Sequence, residues 1–330
     1  SSGSSGGGGW NGDDVPPGYV PAGADSDYAA DCWASTPPKV NHFTIFNQLG
    51  IAWKGCVEAR AEPYDIDDTA PNAAEPNTLF VPYLWPDEAD AGALDVWNTF
   101  PNSYLTDADD QIPSPWRYSW EGGRVHDYWK YGLGSEPDVD ATAPVTKGPN
   151  ASCPDPIQPL TDDRDTVLST IDGLSHWEGS GTVSSEGVAW GWRVLSPTEP
   201  FSEGKAYEEV TKVIVLMTDG KNAAAAQSSG ATYSDYTAYN YLANWRIGSG
   251  TYDGYTNDLD DRMLEACTNA KAEGVKIYTI TFGELDDATR ELYEDCATSP
   301  PFHYNANTAQ EMMSAFRNIG GQLSALRVTH

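Results

Sequence analysis

The sequence predicts an α/β fold built on a doubly wound, mostly parallel β-sheet. Two apolar runs, residues 212–218 and 275–282, show the continuous hydrophobicity of strands that are buried on both faces. Segments with helical periodicity lie before, between and after these runs. Alternation of helices with buried strands is typical of a parallel sheet that is covered by helices on both faces.

The individual elements follow one another from residue 161 onward. Helices are predicted over residues 163–174 and 183–195, and the second ends at Ser196 because a proline follows that residue. The first strand, at 212–218, ends at Asp219. The later elements are a helix at 257–273 that stops before a glycine, the strand at 275–282, a helix at 287–296, an edge strand at 302–305 and a final helix at 309–326.

The N-terminal half has a different composition. Residues 1–40 are rich in Gly, Ser, Pro and Asp, which predicts an extended lead-in. Residues 41–160 are irregular, acidic and aromatic, with a short strand candidate at 78–85, and so long an irregular stretch is uncommon inside a compact domain. We therefore predict three parts: the lead-in, an insertion at 41–160 whose aromatic residues pack onto a neighbouring core, and the α/β region at 161–330.

The charge balance limits the partners. The chain carries 49 acidic and 19 basic residues, a formal net charge of −30. Such a surface repels phosphate, which excludes nucleic acid and bare anionic membrane and favours divalent cations and basic proteins. The alternative is that the acidity serves solubility alone. The sequence shows neither an apolar run of membrane-spanning length nor a signal peptide, so membrane anchoring is expected only through segments absent from this chain.

Five cysteines without zinc-site spacing indicate disulfides in an oxidising compartment, either periplasmic or extracellular. Cys267 lies in a predicted helix and Cys296 at the end of another, so a disulfide between them would tie a helix to the edge of the sheet. Cys32 and Cys56 are the next predicted pair, which leaves Cys153 for a partner outside the chain. The alternative is that some of these residues are buried free thiols.

Two short motifs could carry chemistry, because ligands of a doubly wound sheet bind beyond the carboxyl ends of the strands. Asp219 leaves the first strand there, and the following Gly220 lets the backbone turn, so the carboxylate can hold a hard cation. Thr182 follows Gly181 at a helix start, where its hydroxyl can point at the same ion. Each motif has a structural alternative, because an Asp at a strand end and a Thr at a helix start often serve as caps.

Taken together, these segments resemble the second half of von Willebrand factor A domains, in which a DxSxS loop, a Thr and an Asp form a metal-ion-dependent adhesion site. The resemblance places Thr182 at the family's Thr and Asp219 at its Asp, and it implies binding of Mg²⁺ or Ca²⁺. The motifs occur in the family's order: residues 179–197 (GSGTVSSEGVAWGWRVLSP), 212–220 (KVIVLMTDG) and 270–282 (AKAEGVKIYTITF).

The chain departs from the family in one respect, since it contains no DxSxS. In the family this loop follows the central first strand, and a doubly wound sheet without that strand would expose apolar edges. The resemblance therefore implies that the first strand or strands, with the loop, belong to a missing N-terminal segment of the same protein. The odd number of cysteines agrees with this prediction, because it leaves one cysteine without a disulfide partner in this chain.

Further phrases resemble TadG-type proteins of bacterial Tad (Flp) pilus assembly, which carry an N-terminal membrane helix and a C-terminal von Willebrand A region. The similarity runs from Trp53 to the C-terminus. It implies a pilus or envelope component, or a ligand on a host or other surface, as the protein partner. The phrases are WKGCVEAR, TLFVPYLWPDEAD, GVAWGWRVLSPTEPF, LEACTNAKAEGVKIYTITF and YEDCATSPPFHYNA.

Two acidic clusters lie at residues 65–68 and 107–110. Each has enough carboxylates to bind calcium, but neither has the spacing of an EF-hand loop. We therefore predict that they are solvated loops, with calcium binding as the alternative.

Three functions compete. The leading hypothesis is a non-enzymatic assembly or adhesion protein of a cell-surface pilus system, which binds its partner through a metal-dependent face or through the aromatic insertion. The second is a structural pilus or envelope component with a degenerate metal site. The third is a secreted hydrolase that uses paired carboxylates, which is disfavoured because the five histidines have no catalytic motif around them.

Overall fold

A computed structural model describes the chain in nine segments. The predicted lead-in at 1–40, which includes Cys32, and the acidic cluster at 107–110 lie outside the described residues. The segments are 41–88, 102–106, 128–132, 136–140, 146–175, 181–224, 234–244, 246–248 and 254–326.

The helices and strands of the described residues follow the predicted order. They are α1 (His42–Leu49), α2 (Arg164–Gly173), α3 (Ser184–Leu195), β1 (Val213–Thr218), α4 (Tyr255–Ala272), β2 (Lys276–Phe282), α5 (Asp287–Cys296), β3 (His303–Ala306) and α6 (Ala309–Leu326). From α2 onward every boundary lies within two residues of the predicted one.

The three strands form one parallel sheet in the order β1-β2-β3. Val213 pairs with Lys276 at the start of β1, and Thr218 pairs with Thr281 at its end. Strand β3 pairs in parallel with the carboxyl half of β2. The described residues therefore have the predicted α/β arrangement, with a small sheet of three strands. The von Willebrand A type and the earlier strands of that fold stay predictions.

Helices lie on both faces of this sheet. On one face, α6 buries Ala315 and Ile319 against Tyr278 and Ile280 of β2, whereas Val215 and Met217 of β1 are exposed on this face. On the opposite face, α3 and α4 form a core with the strands, so β2 is buried on both faces, as its continuously apolar sequence predicts. The central members of this second core are Val188, Trp192, Ile214, Met263, Cys267 and Ile277.

Local sequence signals set the helix ends. Asp163 caps α2 by accepting a hydrogen bond from the backbone N–H of Asp165 at 3.1 Å. Asp286 caps α5 in the same way, with the N–H of Thr289 at 2.7 Å. Gly274 follows α4 with a φ of +86°, a conformation that favours glycine and stops the helix.

Helix α2 forms where the sequence predicts it, but its apolar side faces outward. The helix buries none of its residues. Val167, Leu168, Ile171 and the following Leu174 are all exposed, with exposed fractions from 36% to 68%. Helical periodicity correctly predicted the helix, whereas it does not specify what covers the apolar stripe.

The strand predicted at residues 78–85 is wrong. The segment makes a single antiparallel bridge, between Val57 and Pro82, and two backbone hydrogen bonds flank it: Glu58 N–H to the Val81 carbonyl at 2.9 Å and Tyr83 N–H to the Cys56 carbonyl at 2.8 Å. The segment starts in a 3₁₀ turn, Pro76–Thr78, and its pairing is limited to this one bridge, at which the Pro82 nitrogen points away from Val57.

Aromatic residues of the insertion pack into a hydrophobic core together with residues of the C-terminal region, as the sequence predicts. Trp85 and Tyr83 are buried together with Tyr236 and Tyr241, which belong to the C-terminal region. Two of the buried polar tips share Glu88 Oε1, which accepts from the Tyr241 hydroxyl at 2.7 Å and from Trp85 Nε1–H at 3.1 Å. The Tyr83 hydroxyl is buried without a hydrogen-bond partner among the described residues. The insertion and the α/β region therefore share one hydrophobic cluster.

The disulfides agree with one predicted pair and contradict the other. Cys267 is bonded to Cys296, across the segment that contains β2. Cys56 is bonded to Cys153, so the pairing of Cys56 with Cys32 and the assignment of Cys153 to an outside partner are wrong. The two segments meet because Asn150 holds them together: its side chain accepts from Lys54 N–H and donates to the Ala52 carbonyl, both at 3.0 Å.

The interpretation of residues 65–68 as a solvated loop is also wrong. Ile66 enters the core under α3 and α4 and carries the flanking acids inward with it. Asp65 is buried and forms an ion pair with Arg262. Asp67 accepts from Arg60 at 2.8 Å, and Asp68 accepts from the Tyr207 hydroxyl. The carboxylates therefore bind side chains of this chain, which leaves them poorly suited to calcium.

Candidate functional site

The first part of the candidate site is the turn that follows β1. The Thr218 hydroxyl donates to the Gly220 carbonyl at 2.6 Å and accepts from the Gly220 N–H at 3.1 Å, which closes a tight turn. Thr218 is buried, whereas the Asp219 side chain between them is exposed. The Asp219 carboxylate therefore lies exposed just beyond the carboxyl end of β1, as the sequence predicts.

The second part is Thr182, which a short backbone bridge ties to the loop after that turn. The Thr182 N–H donates to the Ala223 carbonyl at 2.6 Å, and the Ala223 N–H donates back to the Thr182 carbonyl at 3.0 Å. Gly181 has a φ of +83°, and a Cβ there would lie 2.1 Å from the Ala223 carbonyl oxygen, so this approach requires glycine. Thr182 is exposed, like Asp219.

A buried polar layer supports these two loops from below. Asn222 is fully buried; its side-chain oxygen accepts from Ser184 N–H at 3.0 Å, and its amide nitrogen donates to Asp260 Oδ1 at 2.8 Å. The Ser184 hydroxyl is 2.6 Å from the Tyr293 hydroxyl. Asn222 therefore takes the role of helix cap for α3 that the sequence suggested for Thr182, and the Thr182 hydroxyl is not used as the cap. Neither Asn222 nor Tyr293 stood out in the sequence, because their common partner Ser184 lies 38 and 109 residues away from them.

The electrostatics of this end of the sheet are acidic. Burial raises the pKa of Asp260, the hydrogen bond from Asn222 lowers it, and the nearby Asp286 raises it further. Burial raises the pKa of Tyr293 as well, and Asp219 adds to that effect. Lys221 is the nearby cation that acts on Asp260 and Asp286. A positively charged ligand would relieve the repulsion among these carboxylates.

The donors suit a hard cation in kind but not in number. Thr182 and Asp219 supply a hydroxyl and a carboxylate, and oxygen ligands are those that Mg²⁺ and Ca²⁺ prefer. Within the described segments, no three His, Cys, Asp or Glu side chains are arranged to hold a metal ion. Further ligands for Mg²⁺ or Ca²⁺ would therefore be water, groups of a partner or residues outside those segments.

A second polar cluster lies in the interior and was not singled out from the sequence. Glu58 is buried, accepts from the Tyr236 hydroxyl and pairs with Arg246 at 3.4 Å. Burial raises the pKa of Glu58 to about 7, against the opposing effects of Arg246 and Tyr236. His42 lies 3.8 Å from Glu58, and burial lowers its pKa to about 4. These groups join α1, the insertion and the C-terminal region, which indicates a structural role.

We predict that Glu58 and His42 have opposite effects on stability between pH 5 and pH 7. The pKa of Glu58 is higher in the folded protein than in the unfolded chain. Its contribution to stability is therefore full at a pH below the unfolded pKa and is lost as pH rises to about 7. The pKa of His42 is lower in the folded protein than in the unfolded chain. Its contribution to stability is therefore full at a pH above the unfolded pKa and is lost as pH falls to about 4. Between pH 5 and pH 7 the two groups should change the free energy of unfolding of the natural chain by about 2 kcal/mol each, in opposite directions, so that the changes nearly cancel.

Two single variants separate these contributions. The free energy of unfolding of Glu58→Gln should rise from pH 5 to pH 7, because the histidine effect is left alone. That of His42→Asn should fall over the same range, because the carboxyl effect is left alone. Urea denaturation at several pH values measures both, and slopes of the same sign in the two variants would contradict the assignment.

Comparisons with known proteins add little to this geometry. No protein-family model matches the chain, and no curated protein matches it. A pilus adhesin of known structure, SpaC from Lactobacillus rhamnosus GG, is similar to 49% of this chain with 16% identity and a TM-score of 0.33. The similar part spans 21% of that adhesin's own length. So low a likeness carries no argument about fold or function, and the TadG-type resemblance stays a prediction.

Proposed function

We propose that this chain is a non-enzymatic cell-surface protein, associated with a pilus, whose α/β region binds a protein partner at the carboxyl ends of its strands. The supporting observation is the backbone bridge between Thr182 and Ala223, which fixes an exposed threonine next to the loop that carries exposed Asp219. The resemblance to von Willebrand A domains places its binding residues at these two positions.

In the metal-dependent form of this proposal, a carboxylate of the partner completes the coordination of Mg²⁺ or Ca²⁺ held by Thr182 and Asp219. The oxygen donors and the acidic surroundings support this form. The small number of donors among the described residues supports the second candidate, a structural pilus or envelope component whose metal site is degenerate.

The proposed location is the periplasm or the cell exterior. Two disulfides support it, because such bonds persist in oxidising compartments. Among the described residues, none of the helices combines the length and the apolarity that a membrane span requires.

We predict that the Asp219→Ala variant loses divalent-cation binding. In calorimetric titration of the full chain with MgCl₂, CaCl₂ or MnCl₂, the variant should bind at least about tenfold more weakly, since it lacks the one carboxylate of the pair. Asp287→Ala is the matched control: this aspartate is also exposed and belongs to the neighbouring helix α5. It should leave the affinity unchanged.

Retention on isolated pili or envelope fractions, with and without EDTA, tests the function itself. Metal-dependent binding requires that EDTA and Asp219→Ala both release the protein. If the protein is retained under both conditions, the metal-independent structural role is favoured. If it binds neither fraction, the proposed function is wrong, and turnover of glycans or peptides would then favour the hydrolase.

A further inference from the structure

A buried lysine and a buried aspartate of the insertion lie in direct contact. Lys130 Nζ is 3.0 Å from Asp87 Oδ2, and the two side chains are 2% and 0% exposed. The same nitrogen donates a hydrogen bond to the backbone carbonyl of Asp87. Two contacts with one residue therefore hold the lysine nitrogen against the aspartate carboxyl group, in a place that solvent does not reach.

Backbone groups fix the other oxygen of this carboxyl group. Asp87 Oδ1 accepts from the Tyr104 N–H at 2.7 Å and from the Leu105 N–H at 2.6 Å. These two hydrogen bonds orient the carboxyl group while Oδ2 faces Lys130. Two N–H groups that converge on one oxygen also stabilise the negative charge that develops there when a nucleophile attacks the carbonyl carbon.

The surroundings of the pair are aromatic and apolar. Tyr104, Leu105 and Tyr131 belong to one hydrophobic cluster. The Tyr131 hydroxyl accepts from the Asp87 N–H at 2.9 Å, and Lys130 Nζ lies 5.3 Å from the centre of the Tyr131 ring. Because both reacting groups are held on packed backbone, little conformational freedom is lost when they react.

The choice of lysine at this position distinguishes the pair. Interior ion pairs elsewhere in the described segments use arginine or histidine, as in Arg262–Asp65 and Arg246–Glu58. A guanidinium group keeps its charge, whereas the lysine ammonium becomes a nucleophilic amine when it gives up a proton. Proton transfer between Lys130 and Asp87 removes both charges and with them the cost of keeping two ions away from water.

We propose that Lys130 and Asp87 form an intramolecular isopeptide bond. One proton passes from the Nζ ammonium to Oδ2, and the resulting amine attacks Cγ of the neutral acid. The Nζ–Cγ bond forms, a second proton passes from Nζ to the Oδ2 hydroxyl, and the Cγ–Oδ2 bond breaks with release of water. The step needs no oxidant or other co-reactant, and it removes one positive and one negative charge, so the net charge of −30 is unchanged.

The bond adds a second cross-link to the insertion. It joins residues that are 43 positions apart, inside the loop that the Cys56–Cys153 disulfide closes. An amide resists reduction, so this inner loop stays closed where the disulfide is reduced. The cross-link goes beyond the proposed function and involves neither Thr182 nor Asp219.

Mass spectrometry of the full chain tests the proposal. After the disulfides are reduced, the folded and purified protein should weigh about 18 Da less than its sequence, the mass of one water. Trypsin should not cleave after Lys130, and the digest should contain a branched peptide with both Lys130 and Asp87. The matched variant Lys130→Arg keeps the positive charge but has no primary amine at this position. It should show the full mass of its sequence, and so should Asp87→Ala.

Three results would overturn the proposal. The full sequence mass in the natural chain would show that the pair is an ordinary ion pair. A loss of water that persists in Lys130→Arg, or that peptide mapping places at other residues, would assign it to different chemistry. The mass and the peptide map of the natural chain decide the question even if a variant does not fold. Neither depends on a metal or on pili, so the result is independent of the tests of the proposed function.

Discussion

Replacing Asp65 by alanine is expected to destabilise the fold by roughly 3–5 kcal/mol, the range for breaking a buried ion pair by removing one partner. Asp65 is 1% exposed and accepts from Arg262 Nε at 2.8 Å and from the Tyr239 hydroxyl at 3.0 Å. Burial alone would lower the pKa of Arg262, yet its contact with Asp65 outweighs that effect and raises the pKa. The variant keeps the guanidinium and removes its buried carboxylate partner, so that the exposed carboxylates of Glu265 and Glu62 are left to compensate the charge.

The matched control is Glu265→Ala. Glu265 pairs with the same arginine, but its side chain is 57% exposed, against 2% for Asp65. Solvent screens an exposed pair of this kind, so the control should cost at most about 1 kcal/mol. Equilibrium unfolding in urea measures both variants, and equal destabilisation would show that the burial of Asp65 contributes little.

The sequence could predict the parallel sheet because its signals are local. The apolar runs at β1 and β2, the capping Asp163 and the glycine after α4 each act within a few residues. The parallel pairing of β1 with β2 follows from the alternation of helices and buried strands. The same reasoning placed Asp219 at the carboxyl end of β1, where the structure has it.

Long-range pairing explains what the sequence could not show. Asp65 looked like part of a polar loop, because its partner Arg262 lies 197 residues further along the chain. The correct partner of Cys56 is 97 residues away, and spacing alone gives no distance between such positions. The role of Asn222 at the candidate site was equally hidden, since it depends on Ser184, which is 38 residues earlier.

Removing the disulfide between Cys56 and Cys153 should destabilise the protein more than removing the one between Cys267 and Cys296. The Cys56–Cys153 bond closes a loop with a sequence separation of 97 residues, and the Cys267–Cys296 bond closes a loop with a separation of 29 residues. In the chain-entropy account, these lengths correspond to about 4–5 and about 3–4 kcal/mol, because a cross-link over a longer loop restricts the unfolded chain more.

The double variants Cys56→Ala/Cys153→Ala and Cys267→Ala/Cys296→Ala leave no unpaired member of either bond. Chemical unfolding under non-reducing conditions compares their free energies with that of the natural chain. Peptide mapping of the natural chain by mass spectrometry checks the pairing itself. A peptide that joins Cys32 to Cys56 would contradict the assignment, since the hydrogen bonds of the Asn150 side chain with the backbone of Ala52 and Lys54 bring Cys153 to Cys56.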